Sequence, residues 1–230
     1  MKLTFSLISI VIGFTGFSQS KIQVAGAMSN IMQKGNLSAY ADLDTIQKDG
    51  LYALGPVENL KGEIMVLDGK VYVTSKSGDS LVNRDKSPKA AMLVYSYVSE
   101  WQKLEKKVAV SGLEELQKFI ELTAKDAGVD VNQPFVFKLE VRVKELKYHI
   151  IDWEEGQEHT MDNHKQFAYV KTERGQEFVL LGFYSNKHHS VFTHHSTNIH
   201  VHVLNKKTGE VGHLDAIDVE GNVTVNFSKR

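Results

Sequence analysis

The feature that most constrains the fold is the segment 198–216, which reads NIHVHVLNKKTGEVGHLDA. Alternate side chains of an extended strand share a face, so His200 and His202 lie on one face and the apolar residues between them lie on the other. Residues 205–209 form a predicted turn, after which an extended pattern resumes. A hairpin that is symmetrical about this turn sets His213 opposite His202.

The hairpin predicts a metal site. Directly opposed residues have Cβ atoms about 5 Å apart, so the imidazoles of His200, His202 and His213 could reach one zinc ion at about 2.0 Å. The alternative is a ladder of hydrogen-bonded or stacked imidazoles without an ion. Asp215 is expected opposite His200, where it either orients that ring or is exposed to solvent.

Strands dominate the rest of the sequence. Residues 135–151 alternate between apolar and charged side chains, which predicts a long half-buried strand. Residues 177–185 are apolar enough for a fully buried strand, and Asp68-Gly69 predicts a hairpin turn between two short strands. The expected fold class is therefore α+β, with mainly antiparallel sheets and a few helices.

Two helices are predicted from the spacing of apolar residues. The first covers residues 23–34 and ends at Gly35. The second begins at a capping box formed by Ser111 and Glu114 and ends near Gly128.

Composition excludes some partners and predicts export. The 230 residues contain 27 Lys and Arg against 28 Asp and Glu, without a basic run, which argues against a nucleic-acid partner. Residues 1–20 combine Lys2 with an apolar stretch and small residues near Ser20, which is typical of a signal peptide, although a buried N-terminal element is the alternative. The absence of cysteine excludes a lipoprotein anchor at a cysteine. We therefore expect residues 21–230 to form one exported domain, periplasmic or secreted, without a membrane anchor.

The remaining histidines give weaker signals. His188, His189, His194 and His195 precede the hairpin, and we interpret them as part of a polar loop, with a surface metal cluster as the alternative. The spacing of His149, His159 and His164 does not indicate a site.

Three stretches carry a resemblance to a known family. They read IHVHVLNKKTGEVGH, LGPVENLKGEIMVLDGKVYV and FAYVKTERGQEFVLLGFYS. With these stretches the chain resembles the acetolactate decarboxylases, zinc enzymes that convert 2-acetolactate to acetoin and carbon dioxide, from about Ile22 to Phe227. The most specific part is H-x-H followed eleven residues later by a third histidine.

The resemblance implies a small-molecule substrate, a homodimer and a set of site residues. His200, His202 and His213 would hold Zn²⁺, and Glu63 would be the catalytic glutamate. The family's substrate-binding arginine aligns with Val141, so Arg142 is the candidate only if a bulge turns it to the site-facing side. Pro56 stands where the family has a threonine.

Two other functions stay open. The first is a non-catalytic metal-binding or ligand-binding protein that keeps the zinc hairpin, since the arginine is displaced and the family's C-terminal glutamate is expected to have no counterpart here. The second is a cupin-type enzyme, which also uses H-x-H on a strand. A cupin expects a glutamate three or four residues further on, where this chain has Asn205 and Lys206.

Overall fold

The structure is a computed structural model that describes residues 20–84, 88–157, 160, 163 and 166–229. The predicted signal peptide lies almost entirely outside these residues, as do His159 and His164. Antiparallel β-sheets make up most of the fold, with few helices, as the sequence predicts. Within the described residues, no helix is both long enough and apolar enough to cross a membrane.

The first sheet contains six strands in the order β1-β8-β3-β4-β5-β6. Their bounds are β1 Gln23–Ala25, β3 Leu51–Pro56, β4 Glu63–Leu67, β5 Lys70–Ser77, β6 Ser80–Asn83 and β8 Leu93–Tyr97. The predicted turn at Asp68-Gly69 is confirmed, since both residues have positive φ and connect β4 to β5. A separate small sheet pairs β2 (Ala41–Asp42) with β7 (Lys89–Ala90).

The second sheet carries the histidine hairpin and follows the order β10-β13-β14-β15-β11-β12, with β9 also paired to β15. Its strands are β9 Glu100–Ser111, β10 Phe135–Arg142, β11 Glu145–Ile151, β12 Ala168–Arg174, β13 Glu177–Tyr184, β14 Ile199–Asn205 and β15 Val211–Lys229. Because β10 also pairs with the far end of β15, the path through β10, β13, β14 and β15 returns to its start.

The prediction of a single long strand over residues 135–151 is wrong in one respect. The segment forms two strands, β10 and β11, which break at Val143 and Lys144 and do not pair with each other. Both pair with β15, β11 near its start and β10 near its end. The alternation changes phase at the break, from odd-numbered core residues in β10 to even-numbered ones in β11, and both sets pack into the same core cluster.

The helices differ from prediction at their ends. Helix α1 covers only Met28–Met32, because residues 23–25 pair with β8 as a strand. Helix α2 covers Leu113–Asp126, as expected. The predicted capping box is wrong: Gly112 is the N-cap residue, and Glu115 accepts a hydrogen bond from the Ser111 amide.

The two main sheets pack against each other through buried apolar residues, among them Leu54 and Met65 from the first sheet and Leu181 and Phe183 from the second. A buried hydrogen bond from the Val211 amide to the Thr74 hydroxyl also joins them, at 2.8 Å. The start of the histidine hairpin's second strand is therefore fixed against β5.

Candidate metal centre and its cavity

The predicted hairpin is confirmed. His202 pairs directly with His213, and residues 206–210 connect β14 to β15. His200 and His202 are both buried on the same face of β14. The ring centroids of His200, His202 and His213 lie 5.2, 5.1 and 5.7 Å apart in the three pairs. The structure therefore brings together the three imidazoles that the sequence singled out.

Two backbone carbonyls fix the orientation of the rings on β14. Nδ1 of His200 lies 2.9 Å from the Phe192 oxygen, and Nδ1 of His202 lies 2.8 Å from the Ile64 oxygen. A carbonyl only accepts, so each Nδ1 carries the hydrogen and each Nε2 keeps a lone pair. This is the tautomer that a metal-ligating histidine needs when its second nitrogen is held by the protein.

Burial keeps these rings neutral. Loss of solvent, together with the neighbouring imidazoles, lowers the pKa of His200 and His202 well below the usual histidine range. Burial also lowers the pKa of His213. Neutral imidazole is the form that binds metal ions, so the cluster holds ligands that are ready at neutral pH.

Two ring nitrogens have unsatisfied hydrogen-bonding capacity. Nε2 of His202 and Nδ1 of His213 are buried without a hydrogen-bond partner among the described residues. Buried polar atoms without a partner are rare in folded proteins, since each has lost its hydration. Ligation of a cation would satisfy the Nε2 of His202, so the residues present fit a metal ion.

Glu63 begins β4 and is buried beside the cluster. Its Oε2 lies 3.5 Å from Nε2 of His202, and its Oε1 accepts a long hydrogen bond of 3.4 Å from the Ile151 amide. Burial raises the pKa of Glu63 to about 7, against a smaller opposing effect of His149. The position of Glu63 depends on the preceding Gly62. A Cβ on residue 62 would lie 2.4 Å from the Thr74 oxygen, so a glycine allows the start of β4 to come this close to β5.

His149 belongs to the site, although its spacing in the sequence did not indicate one. It lies on β11 directly opposite His213, with the two ring centroids 4.9 Å apart. Its Nδ1 lies 2.7 Å from the Asp215 carboxylate. Only the pairing of β11 with β15 reveals this contact, and the sequence does not show which strands are neighbours.

Asp215 orients His149 rather than His200, so the predicted side-chain partner of Asp215 is wrong, whereas the register of β14 with β15 is the predicted one over the residues that pair. The pairing of β11 with β15 shifts at Lys147 and Tyr148, which leaves Asp215 as the extra residue of a bulge. Burial by itself would raise the pKa of Asp215, but the hydrogen bond with His149 and the nearby His213 outweigh it and hold the pKa below the usual range.

His213 belongs to the hairpin set, whose ring centroids lie 5.1 to 5.7 Å apart, and also to a second group with His149 and Asp215. One ligand atom each from His149, His213 and Asp215 lie within 4.8 Å of one another, which is close enough for a second arrangement around an ion. In that set, however, His149 and Asp215 already satisfy each other. The hairpin set differs in that two of its rings are anchored by backbone carbonyls and that Nε2 of His202 has no hydrogen-bond partner among the described residues.

The cluster forms the base of a cavity of about 370 Å³. Glu63 and the histidines supply its polar side, and α1 supplies part of its apolar side. His194 and His195 lie in a loop, as predicted, and this loop also lines the cavity. His188 and His189 instead bond within the loop region, to Ser185 and Asn198.

Arg142 lies outside this cavity. Its guanidinium donates to the Gly175 oxygen at 2.7 Å, and its side chain is 68% exposed. The register of β10 with β13 runs without a bulge through this residue, so nothing turns it inward. Val141 packs in the core, and Pro56 lines the cavity.

Comparisons with known proteins agree with this architecture. The sequence model described as alpha-acetolactate decarboxylase matches residues 24–230. No curated protein matches the sequence. The alpha-acetolactate decarboxylase of Bacillus subtilis strain 168 has a similar structure, with a TM-score of 0.75 and 15% identity over 91% of this chain and 85% of that one. A Staphylococcus aureus protein of unknown function, similar to alpha-acetolactate decarboxylase, has a TM-score of 0.72 and 16% identity over 91% and 85%.

Proposed function

The chain belongs to the alpha-acetolactate decarboxylase family, and from this premise we propose that it is a zinc-dependent lyase that converts 2-acetolactate to acetoin and carbon dioxide. The observation that carries the proposal is the meeting of three neutral imidazoles with the buried carboxyl group of Glu63 at the base of a cavity. A small-molecule substrate suits a concave site of this size.

His200, His202 and His213 would hold the zinc ion. The support is the tautomer fixed by two backbone carbonyls, the low pKa of all three rings and the unpartnered Nε2 of His202. Three imidazoles leave a coordination position open for substrate, as catalytic zinc sites do. When bound, zinc supplies positive charge that draws electrons toward the ketone oxygen of the substrate.

Glu63 handles the proton. Decarboxylation breaks the bond between the carboxylate carbon and the hydroxyl-bearing carbon, and the electron pair of that bond moves toward the ketone oxygen. A proton must then be added to carbon to give acetoin. With a pKa of about 7, Glu63 carries a proton in a large fraction of molecules at neutral pH and can deliver it.

The protein also restricts where Glu63 can move. The amide of Ile151 donates to Oε1, and Gly62 lets the strand pass close to Thr74 and Ser75. The carboxyl group is thus held on the same side of the cavity as His202. A fixed donor close to the reacting carbon is what general acid catalysis requires.

The deciding experiment incubates zinc-loaded protein with racemic 2-acetolactate and measures acetoin and carbon dioxide. Release of both, dependent on zinc, is the expected result. Zinc content measured on the same sample separates an inactive protein from an unloaded one.

A second candidate is a non-catalytic metal-binding or ligand-binding protein. The observation that favours it is the position of Arg142, whose exposed guanidinium lies outside the cavity. Full zinc occupancy without any acetoin would make this candidate the better account.

A further inference from the structure

One wall of the cavity is apolar. Helix α1 contributes Met28, Ile31 and Met32, whose spacing of three and four residues places them on one side of the helix. Leu60, Met92 and Ile151 extend the same wall from other parts of the chain. Ile31, Leu60, Met92 and Ile151 also belong to one buried cluster, so the wall is part of the packed interior.

Helix α1 is fixed in place over the cavity. The amide of Met28 donates to the Val191 oxygen and the amide of Ser29 donates to the Ser190 oxygen, both at 2.8 Å. These bonds connect the start of the helix to the loop that carries His194 and His195. The apolar wall and the histidines therefore keep a defined separation.

The space between them exceeds the needs of 2-acetolactate. At about 30 Å³ for each water, 370 Å³ holds at least about a dozen waters, whereas 2-acetolactate is a five-carbon acid whose two substituents are methyl groups. Methionine side chains are flexible and polarisable, so a wall with three of them adapts to alkyl groups of different shapes.

The ionisable groups that line the cavity also favour a ligand with a larger apolar part. Among the described residues that line the cavity, the ionisable groups are Glu63, Asp215 and histidines, and neither lysine nor arginine is present. A substrate carboxylate thus has no guanidinium to grip it there. Apart from coordination to the proposed ion, burial of apolar groups against the methionine wall is the main source of affinity that the lining offers.

We propose that the preferred substrate is a 2-hydroxy-3-oxo acid in which an alkyl chain of about four carbons replaces the methyl group on carbon 2, with the chain lying against Met28, Met32 and Met92. This inference rests on the proposed decarboxylation and names its substrate class. The bonds that break and form are the same as for 2-acetolactate. The bond from carbon 2 to the carboxylate breaks and carbon dioxide leaves. The electron pair of that bond moves toward the ketone oxygen, and one proton is then added to carbon 2 to give a hydroxyketone.

The test compares 2-acetolactate with its 2-butyl homologue as substrates of the zinc-loaded protein. Each methylene buried against an apolar wall improves binding by about fourfold. For three added methylenes we expect kcat/KM to be at least tenfold higher with the homologue. Equal or higher kcat/KM with 2-acetolactate would overturn the inference.

A substitution in the apolar wall tests whether that wall determines the preference for the longer alkyl chain. Met32→Trp adds bulk inside the cavity and should lower the ratio of kcat/KM for the homologue to that for 2-acetolactate at least tenfold. Lys34→Trp adds the same bulk at an exposed position and should leave the ratio unchanged. An unchanged ratio in Met32→Trp would count against a wall at this position.

Calorimetry with unreactive analogues gives a measurement that does not depend on turnover. The analogues are 2,3-dihydroxy acids that carry methyl or butyl on carbon 2. Tighter binding of the butyl analogue supports the inference even if neither substrate is decarboxylated, an outcome that would defeat only the proposed reaction. Equal binding of the two analogues would defeat the inference about chain length.

Discussion

At the scale of single residues, the site depends on which nitrogen of each histidine is free. His200 and His202 direct Nδ1 at backbone carbonyls and keep Nε2 for a ligand, whereas His149 directs Nδ1 at Asp215. The same residue type therefore serves two purposes within one cavity. Hydrogen-bond partners distinguish them more clearly than distance does, because all four rings lie near one another.

Metal content of single variants should identify the ligands. Replacing His200, His202 or His213 with Ala is expected to remove the metal or weaken its binding severely, since a three-ligand site has no spare protein ligand. His149→Ala is the matched control and should retain the metal. Metal analysis should follow purification without metal-affinity resin. Retention by His200→Ala and His202→Ala with loss by His149→Ala would instead assign the ion to His149, His213 and Asp215.

Glu63 and Arg142 should differ sharply in their effect on turnover. Glu63→Gln removes the proton donor, and we expect kcat on 2-acetolactate to fall by about 100- to 10,000-fold with zinc still bound. Arg142→Ala changes a largely exposed side chain outside the cavity and should leave both kcat and KM close to wild type. Wild-type turnover in Glu63→Gln, or a marked rise of KM in Arg142→Ala, would contradict these assignments.

At the scale of elements, glycines determine how closely strands approach the site. Alanine is strained at both Gly62 and Gly78, where φ is +135° and +59°, at a cost of about 1–3 kcal/mol. Only Gly62 also meets neighbouring atoms, since its Cβ would lie 2.4 Å from the Thr74 oxygen and 2.5 Å from Oγ of Ser75. A comparison of alanine substitutions at the two positions therefore separates the energetic cost of backbone strain from that of steric overlap.

We expect Gly62→Ala to lower the free energy of unfolding by at least about 2 kcal/mol more than Gly78→Ala, because overpacking adds to the strain. Denaturant unfolding measures the difference. Gly62→Ala should also lower turnover, since a shift of β4 moves Glu63. Equal stability of the two variants would show that the strand relaxes around the new methyl group.

The turn of the histidine hairpin is connected to β11 and β12 through Glu210. Its Oε2 accepts from Lys171 at 2.6 Å, from Tyr148 at 3.0 Å and from Thr208 at 3.1 Å. Burial by itself would raise the pKa of Glu210, but these hydrogen bonds and the charge of Lys171 outweigh it and lower the pKa. Ionised Glu210 thus stabilises the folded chain.

The stability that Glu210 contributes increases with pH. A carboxyl group whose pKa is lower in the folded state contributes stability above its unfolded pKa, about 4.3 for glutamate, and loses that contribution as the pH falls through the folded value. Glu210→Gln should therefore be less stable than wild type at pH 6, with a difference that shrinks toward pH 3. Thermal unfolding at several pH values measures this. Glu114→Gln, on the exposed side of α2, should show a much smaller difference at every pH.

At the scale of the whole molecule, export stays a prediction, since most of the predicted signal peptide lies outside the described residues. We expect protein recovered outside the cytoplasm to begin at Lys21 or a neighbouring residue, because signal peptides are cleaved after small residues such as Ser20. N-terminal sequencing measures this, and an intact Met1 on exported protein would contradict it. The homodimer implied by the family resemblance likewise stays a prediction.

Local patterns in the sequence predict the hairpins, the second helix and the meeting of His202 with His213. They are sufficient because turn chemistry and strand alternation act over a few residues. His149 and Asp215 could not be predicted, since their contact depends on which distant strands pair and on a bulge in β15. The break between β10 and β11 lies where Lys144 and Glu145 interrupt the alternation of apolar and charged residues.

The hydrogen bond from His202 to the Ile64 oxygen crosses from one sheet to the other, and Nε2 of the same ring is the atom that would bind the proposed ion. A ligand that binds only the folded chain stabilises it by RT ln(1 + [L]/Kd). Here that ligand would act through a ring that already joins the two sheets. Metal occupancy and the cohesion of the sheets are then thermodynamically linked, so whatever loosens the contact between them also weakens the hold on the ion.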